Sequence, residues 1–406
     1  MHRSALRYFK LFITTITVGI LCGLQEINGQ TQNDPRDLIV RLDSFRAAGN
    51  TPKIGLVLSG GGAKGYAHVG VLKILDQYGI QVDYVAGTSI GAMVGSLYAS
   101  GYSGHQIDSI LNSMDINEVV YDALPRSARS FYDKEDQARY AVTLPFDDWK
   151  LRFPQALSGG QKMYNALSRL LLHVSQTDSF AELPIPFLCM ATELSSGQVA
   201  ELNQGYLPDA VMASGALPSL FSPVRIDGKT YVDGGVYDNY PVEVLRAKGV
   251  DFVIGVDVQD TLKTASDLTS ATAILNQINN YRSVRAMQVK SGLTDIYIKP
   301  ELEDIGVVDF SKMPYAIAQG SSAAAQYSEI WKRMSVTNPK KSNNSRNAPA
   351  VPELKLASID VEGLKNYSLL YVLGKLNLPI GVSMNFAALE AALDRLSATG
   401  NFATLR

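Results

Sequence analysis

The sequence predicts an α/β fold, a sheet sandwiched between helices, with a small C-terminal α+β appendage. Short apolar runs alternate with helical periods from Ile54 to about Lys290, the pattern of a sheet covered on both faces. Glycine-rich turns follow the first two of those runs, at the strand ends where ligands sit in such sheets. A composition break at Thr337–Pro352, rich in Asn, Ser, Lys and Pro, separates the C-terminal appendage from the main body of the chain. Such a stretch buries too little apolar surface to fold and serves as a linker.

In chain order, Arg3, Arg7 and Lys10 precede an apolar run from Leu11 to Leu24, and Ile27-Asn28-Gly29 offers a cleavage site before Gln30. This is the pattern of a secretory signal peptide over residues 1–29, and the run is short of the ~20 residues that span a bilayer as a helix. Export to the periplasm, outer membrane or cell surface is the expected outcome. Asp34 to Ala48 is expected as a helix, Ile54 to Leu58 as a buried strand, Tyr66 to Tyr78 as a helix and Val82 to Ala86 as the next strand. Ile90 to Ala99 continues as a helix. Tyr121 to Ala156, with Arg126, Phe131, Trp149 and Pro154, breaks the rhythm and suggests an excursion over the site. Strands at Pro186–Ala191 and Phe252–Val258 come next, with helices at Lys162–Val174, Val242–Lys248 and Leu275–Lys290. After the linker, Leu356–Val361 is expected as a strand, with helices at Ser368–Leu376 and Ser383–Thr399. The resulting division is 1–29 leader, 30–335 main domain, 336–353 linker and 354–406 appendage.

With 46% hydrophobic residues, 19% charged and a formal charge of −2, the chain is able to build a large core but lacks the basic face of a nucleic-acid binder. Cys189 is the only cysteine beyond the leader, so no intrachain disulfide supports the mature fold.

Three motifs carry chemistry. In Gly87-Thr88-Ser89-Ile90-Gly91 an apolar strand ends in a sharp turn into a helix. A serine there sits in a strained conformation whose neighbours two positions away must lack bulk, and Ser89 becomes the candidate nucleophile. Gly60-Gly61-Gly62-Ala63-Lys64-Gly65 follows the first strand and exposes backbone N–H groups to an anion. A dinucleotide site would need an acid at the end of the second strand, whereas Asp83 stands at its start; a phosphate loop would need Gly-Lys-Ser/Thr, which is absent. An oxyanion hole remains. Lys64 within it is expected as a solvated surface residue. Only His2, His68, His105 and His173 exist, and none follows an acid in the Ser, acid, His order of an α/β-hydrolase triad. His68 is expected as a packing or capping residue. The third motif, Tyr231-Val232-Asp233-Gly234-Gly235, offers Asp233 at a strand end before two glycines that admit close backbone approach. A carboxylate in a dry cleft gains the proton affinity of a base.

Taken together, these motifs resemble the patatin-like phospholipase family. Further matches are Gly65-Tyr66-Ala67-His68-Val69-Gly70, Ala191-Thr192-Glu193-Leu194, Ala213-Ser214-Gly215-Ala216-Leu217-Pro218 and Asp238-Asn239-Tyr240-Pro241. The resemblance implies a Ser-Asp dyad lipid acyl hydrolase with Ser89 as nucleophile, Asp233 as proton acceptor and the Gly60–Gly65 loop as oxyanion site. It implies no metal and no cofactor, a lipid or phospholipid substrate, and work at a membrane surface. Gly235 departs from the alanine frequent in the family. Residues 354–406 are similar to part of a POTRA module, which implies an outer-membrane β-barrel in a longer chain; the bland alternative is a helical tail that packs back on the main domain. Two other functions compete: a lipid-binding pseudoenzyme or assembly module, and a dinucleotide-binding oxidoreductase.

Overall fold

The computed structural model describes residues 35–123, 146–147, 150–151, 156–268, 271–337, 353–402 and 405. The leader, the linker over 338–352 and most of the Tyr121–Ala156 excursion lie outside them.

Helix α1 (Pro35–Ala47) leads into β1 (Ile54–Leu58), a 3-10 turn (Gly62–Gly65), α2 (Tyr66–Gln77), β2 (Tyr84–Thr88) and α3 (Ile90–Ala99). Next come α4 (Gly104–Ser113), α5 (Ile116–Val120), the short pair β3 (Phe146–Asp147) and β4 (Lys150–Leu151), β5 (Ala156–Ser158) and α6 (Gln161–Leu170). The chain continues through β6 (Phe187–Glu193), β7 (Val199–Leu202), α7 (Leu207–Ser214), β8 (Ser219–Phe221), β9 (Val224–Ile226), β10 (Lys229–Asp233), α8 (Val242–Ala247) and β11 (Phe252–Val256). It ends with α9 (Ala271–Lys290), β12 (Ile296–Ile298), α10 (Met313–Ala325), α11 (Ser328–Thr337), β13 (Leu354–Lys355), α12 (Leu369–Leu376), β14 (Ser383–Met384) and α13 (Phe386–Ser397).

The central sheet is mixed, in the order β12-β11-β1-β2-β6-β10-β9, with β7 on β6. Strands β12, β11, β1, β2 and β6 run parallel, while β7, β9 and β10 are antiparallel to their neighbours. Alternation along each strand divides the core between two faces. Leu56, Leu58, Val85, Phe187, Cys189, Ile254 and Val256 pack with α2, α3 and α10 on one side; Val57, Ala86, Leu188, Met190 and Val253 pack with Val242 and Leu245 of α8 on the other. Both faces being apolar explains why these strands read as continuous hydrophobic runs.

The structure corrects several expectations. Strand β2 starts at Tyr84 and runs to Thr88, because the Asp83 carboxylate accepts the Ile54 amide and anchors the turn before it. Helices α4, α5, α7, α10 and α11 are additional. Helix α4 is closed by a reciprocal capping box between Ser103 and Gln106. In the C-terminal part, 356–361 forms no strand; Leu354-Lys355 pairs with Ser383-Met384, while Ile359 and Val361 pack on the cluster of Val372, Leu376, Ala392 and Leu396. This part packs back on α6: the Gln161 side chain exchanges two 2.7 Å hydrogen bonds with the backbone of Leu405, and Lys162 approaches Asp394 at 3.8 Å. Among the described residues no helix is long and apolar enough to cross a membrane.

Candidate active site

The geometry of the site follows from strand register. Cys189 and Met190 of β6 pair with both β2 and β7, so those two strands lie on opposite edges of β6. Ala191 and Thr192 pair with both β7 and β10, which puts β10 on the β2 edge. Along that edge Thr88 pairs with Met190 and Asp233 with Ala191. The ends of β2 and antiparallel β10 therefore meet head to head, and residues 144 apart in sequence become neighbours.

Ser89 follows Thr88 directly, with φ 56° and ψ −125°, a left-handed conformation for a residue with a side chain. Such a conformation costs ~1–3 kcal/mol and persists only where its surroundings enforce it. The expected lack of bulk is observed: a Cβ on Gly87 would lie 2.5 Å from the Gly91 carbonyl oxygen, and one on Gly91 2.2 Å from that of Leu58. The Ser89 hydroxyl donates to Asp233 Oδ2 at 2.5 Å, and Asp233 Oδ1 accepts the Gly235 amide at 2.7 Å. Both residues are nearly enclosed, Ser89 8% and Asp233 3% exposed. Burial raises the Asp233 pKa to about 6, opposed by the hydrogen bonds from Ser89 and Gly235 that favour the charged form. Gly234 admits the Met190 carbonyl, 2.2 Å from where a Cβ would stand, while Gly235 faces the Asn239 side chain. The Thr88 hydroxyl donates to Asp238 O at 3.0 Å, and Ile90 packs against Gly65.

In the glycine loop the backbone donors divide. The Gly60 amide donates to Asn239 O, Ala63 to Val307 O and Lys64 to Gly61 O, so these three are structural. Among the described residues, Gly61 and Gly62 donate to no protein acceptor, and Gly62 lines the same cavity as Ser89. Its φ of 57° and the Val307 carbonyl oxygen 2.2 Å from a would-be Cβ leave room only for glycine. With the first amides of α3 on the other side, the surroundings of Ser89 hold unspent donors and a positive helix end.

Lys64 is corrected: it is buried and ion-paired with Asp260, 196 residues away, and fixes the loop from below. His68 behaves as expected, fully buried with Nε2 on Ser59 O at 2.8 Å. Burial lowers its pKa to about 4, and its Nδ1 has no partner among the described residues. His105 is exposed on α4, and His173 is bonded to Ser100 O. Asp83 is committed to the Ile54 amide at the far end of β2 from the glycine loop. Among the described residues no group of His, Cys, Asp and Glu is arranged to hold a metal.

What motif reading missed is the cavity. From Ser89 it runs into the protein between α3, α4, α5 and α6, and its space, counted together with the open solvent at its mouth, is about 930 Å³. Met93 and Leu97 of α3, Ile107 and Ile110 of α4, and Met163, Leu167 and Leu170 of α6 line it. Among the described residues Ser89 and Tyr66 supply its only polar side-chain groups, and no charged residue lines it.

Residues 56–246 match the sequence profile of the patatin-like phospholipase family. Lysophospholipase NTE1 of Meyerozyma guilliermondii is 26% identical over 308 residues, covering 69% of this chain and 19% of the relative. The protein of the same name from Mycosarcoma maydis is 27% identical over 303 residues, covering 68% and 15%. The chain thus spans about a fifth or less of the length of these curated relatives. Among solved structures, VipD from Legionella pneumophila gives a TM-score of 0.40 at 17% identity, covering 69% of this chain and 67% of that one. The type III effector protein ExoU gives 0.34 at 17% identity, covering 70% and 54%. Over residues 56–246, just under half of its length, the chain is similar to the patatin-like phospholipase family.

Proposed function

We propose that the protein is a lipid acyl hydrolase that cleaves carboxylic esters of phospholipids or lysophospholipids through a Ser89-Asp233 dyad. The observation that carries this is the 2.5 Å contact of Ser89 Oγ with a buried, base-tuned carboxylate at one end of an uncharged apolar cavity. The acyl chain lies in the cavity with its carbonyl carbon at Ser89. Asp233 takes the hydroxyl proton as Oγ attacks, and the amides of Gly61, Gly62 and Ile90 stabilise the oxyanion. The tetrahedral intermediate collapses, Asp233 protonates the departing alcohol, and an acyl-serine remains. Water then gives its proton to Asp233 and attacks the acyl carbon; the proton returns to Ser89 as the fatty acid leaves. The relatives named lysophospholipases support a lysophospholipid as the first substrate to test.

Ser89→Ala tests the assignment. It should abolish turnover of a nitrophenyl acyl ester and of a lysophospholipid while leaving the circular dichroism spectrum unchanged; a folded alanine variant with wild-type activity overturns it. Export through the leader, and a POTRA-like role for residues 354–406 beside an outer-membrane β-barrel, belong to the same proposal. Support comes from the residue pattern at 1–29 and from the β13-α12-β14-α13 order. Fractionation of cells making the full chain tests the first, and recovery in the cytoplasm with an intact leader refutes it.

A further inference from the structure

The Ser89 amide is buried and stands before the first turn of α3, where no helical carbonyl is available to accept it. Its acceptor is the hydroxyl of Ser214, at 3.0 Å. Ser214 is the last residue of α7 and has no exposed surface. Nearby, the buried Cys189 thiol points to the Ala210 carbonyl of the same helix. Two residues beyond Ser214, the Ala216 carbonyl accepts the Asp233 amide at 2.9 Å. One turn, Ser214-Gly215-Ala216, therefore holds the main chain of both members of the dyad.

We propose that Ser214 is a positioning residue for the nucleophile: its hydroxyl pins the strained Ser89 amide and, with the Ala216 carbonyl, sets the approach of Ser89 to Asp233 from one rigid turn. This rests on the Ser-Asp reading above. Without the acceptor, a buried amide seeks another partner and the left-handed turn relaxes. A displacement on the order of 1 Å at the nucleophile costs roughly 100-fold in rate.

The test compares Ser214→Ala, which removes the acceptor and the volume, with Ser214→Cys, which keeps most of the volume but accepts poorly. With nitrophenyl butyrate, both should lower kcat roughly 10- to 100-fold with KM unchanged within about 3-fold. Labelling of Ser89 by a fluorophosphonate should slow in proportion. The acid limb of kcat/KM should move up, because a displaced Ser89 hydroxyl no longer favours the charged form of Asp233. A merely structural loss would lower the active fraction without moving that limb. Wild-type kcat in either folded variant, or full recovery in the cysteine variant, overturns the proposal. Ser89→Ala, run alongside, separates the two readings: if it is inactive while the Ser214 variants are normal, only the positioning role fails; if it is active, the dyad itself fails.

Discussion

Asp233→Asn should make the protein inactive and more stable. Between the unfolded value of 3.8 and the folded value of about 6, the native state binds more protons than the unfolded chain at this residue. Stability contributed here is therefore fully present below pH 4 and is lost as pH rises through about 6. Two pKa units amount to about 3 kcal/mol, the cost of burying the charge at neutral pH. An amide in the same place avoids that cost and keeps both contacts: its oxygen accepts the Gly235 amide, and its NH2 donates to the Ser89 oxygen, reversing the polarity of the 2.5 Å bond. Urea denaturation at pH 8 should show the variant about 1–3 kcal/mol more stable, with Tm up by roughly 5 °C. At pH 4 the two curves should coincide. In the wild type the same titration sets the acid limb of kcat/KM, with activity rising through about pH 6 as the base ionises. An asparagine variant equally stable at both pH values, or wild-type activity unchanged down to pH 4, would refute the reasoning.

Gly91→Ala places a methyl 2.2 Å from the Leu58 carbonyl oxygen and should lower the yield of soluble protein and abolish labelling of Ser89 by a fluorophosphonate; a folded, fully labelled variant would contradict the elbow geometry. Leu97 lies one turn beyond Met93 on α3, roughly 12 Å along the helix from Ser89. Leu97→Phe should reduce hydrolysis of a palmitoyl ester about 10-fold and leave a butyryl ester within about 3-fold, as a chain-length series of nitrophenyl esters will show. Lys64→Met removes the buried partner of Asp260 and leaves that carboxylate, a quarter exposed, unmatched. Unfolding in urea should show a loss of roughly 1–2 kcal/mol, between the values for exposed and buried pairs, and no loss would mean that the pair does not brace the loop.

The strands and the two glycine turns were legible because their signals are local: apolar runs of fixed length, and glycines where a side chain would strike backbone. Asp233 was reached as the candidate base by elimination, since so few histidines exist. Lys64 was misjudged because its partner, Asp260, is distant in sequence and burial of a lysine depends on that partner. A run of glycines likewise does not tell which of its amides are already engaged; that depends on Asn239 and Val307. Helix α7 escaped notice because it is only 8 residues long and buried, without the one-sided pattern of a surface helix. The apolar walls of the cavity come from side chains of four helices that meet only in the folded chain, so beyond the motif residues at its Ser89 end no local pattern announces it.

The convergence of Ser89 and Asp233 has a local cause as well. Asp227 and Gly228, with φ of 48° and 79°, make a two-residue turn between β9 and β10 of the type whose twist matches a hairpin. That turn fixes Lys229 opposite Ile226, and Tyr231 opposite Val224. In a strand, side chains alternate, so a slip of one residue would carry the residue 233 carboxylate to the opposite face of the sheet. The pairing of Asp233 with Ala191, one step beyond Thr88 with Met190, then places the carboxylate where the elbow ends. Both carboxylate oxygens are occupied there, and no histidine of the described residues reaches it. The site therefore relies on burial, rather than on a third side chain, to give Asp233 the proton affinity of a base.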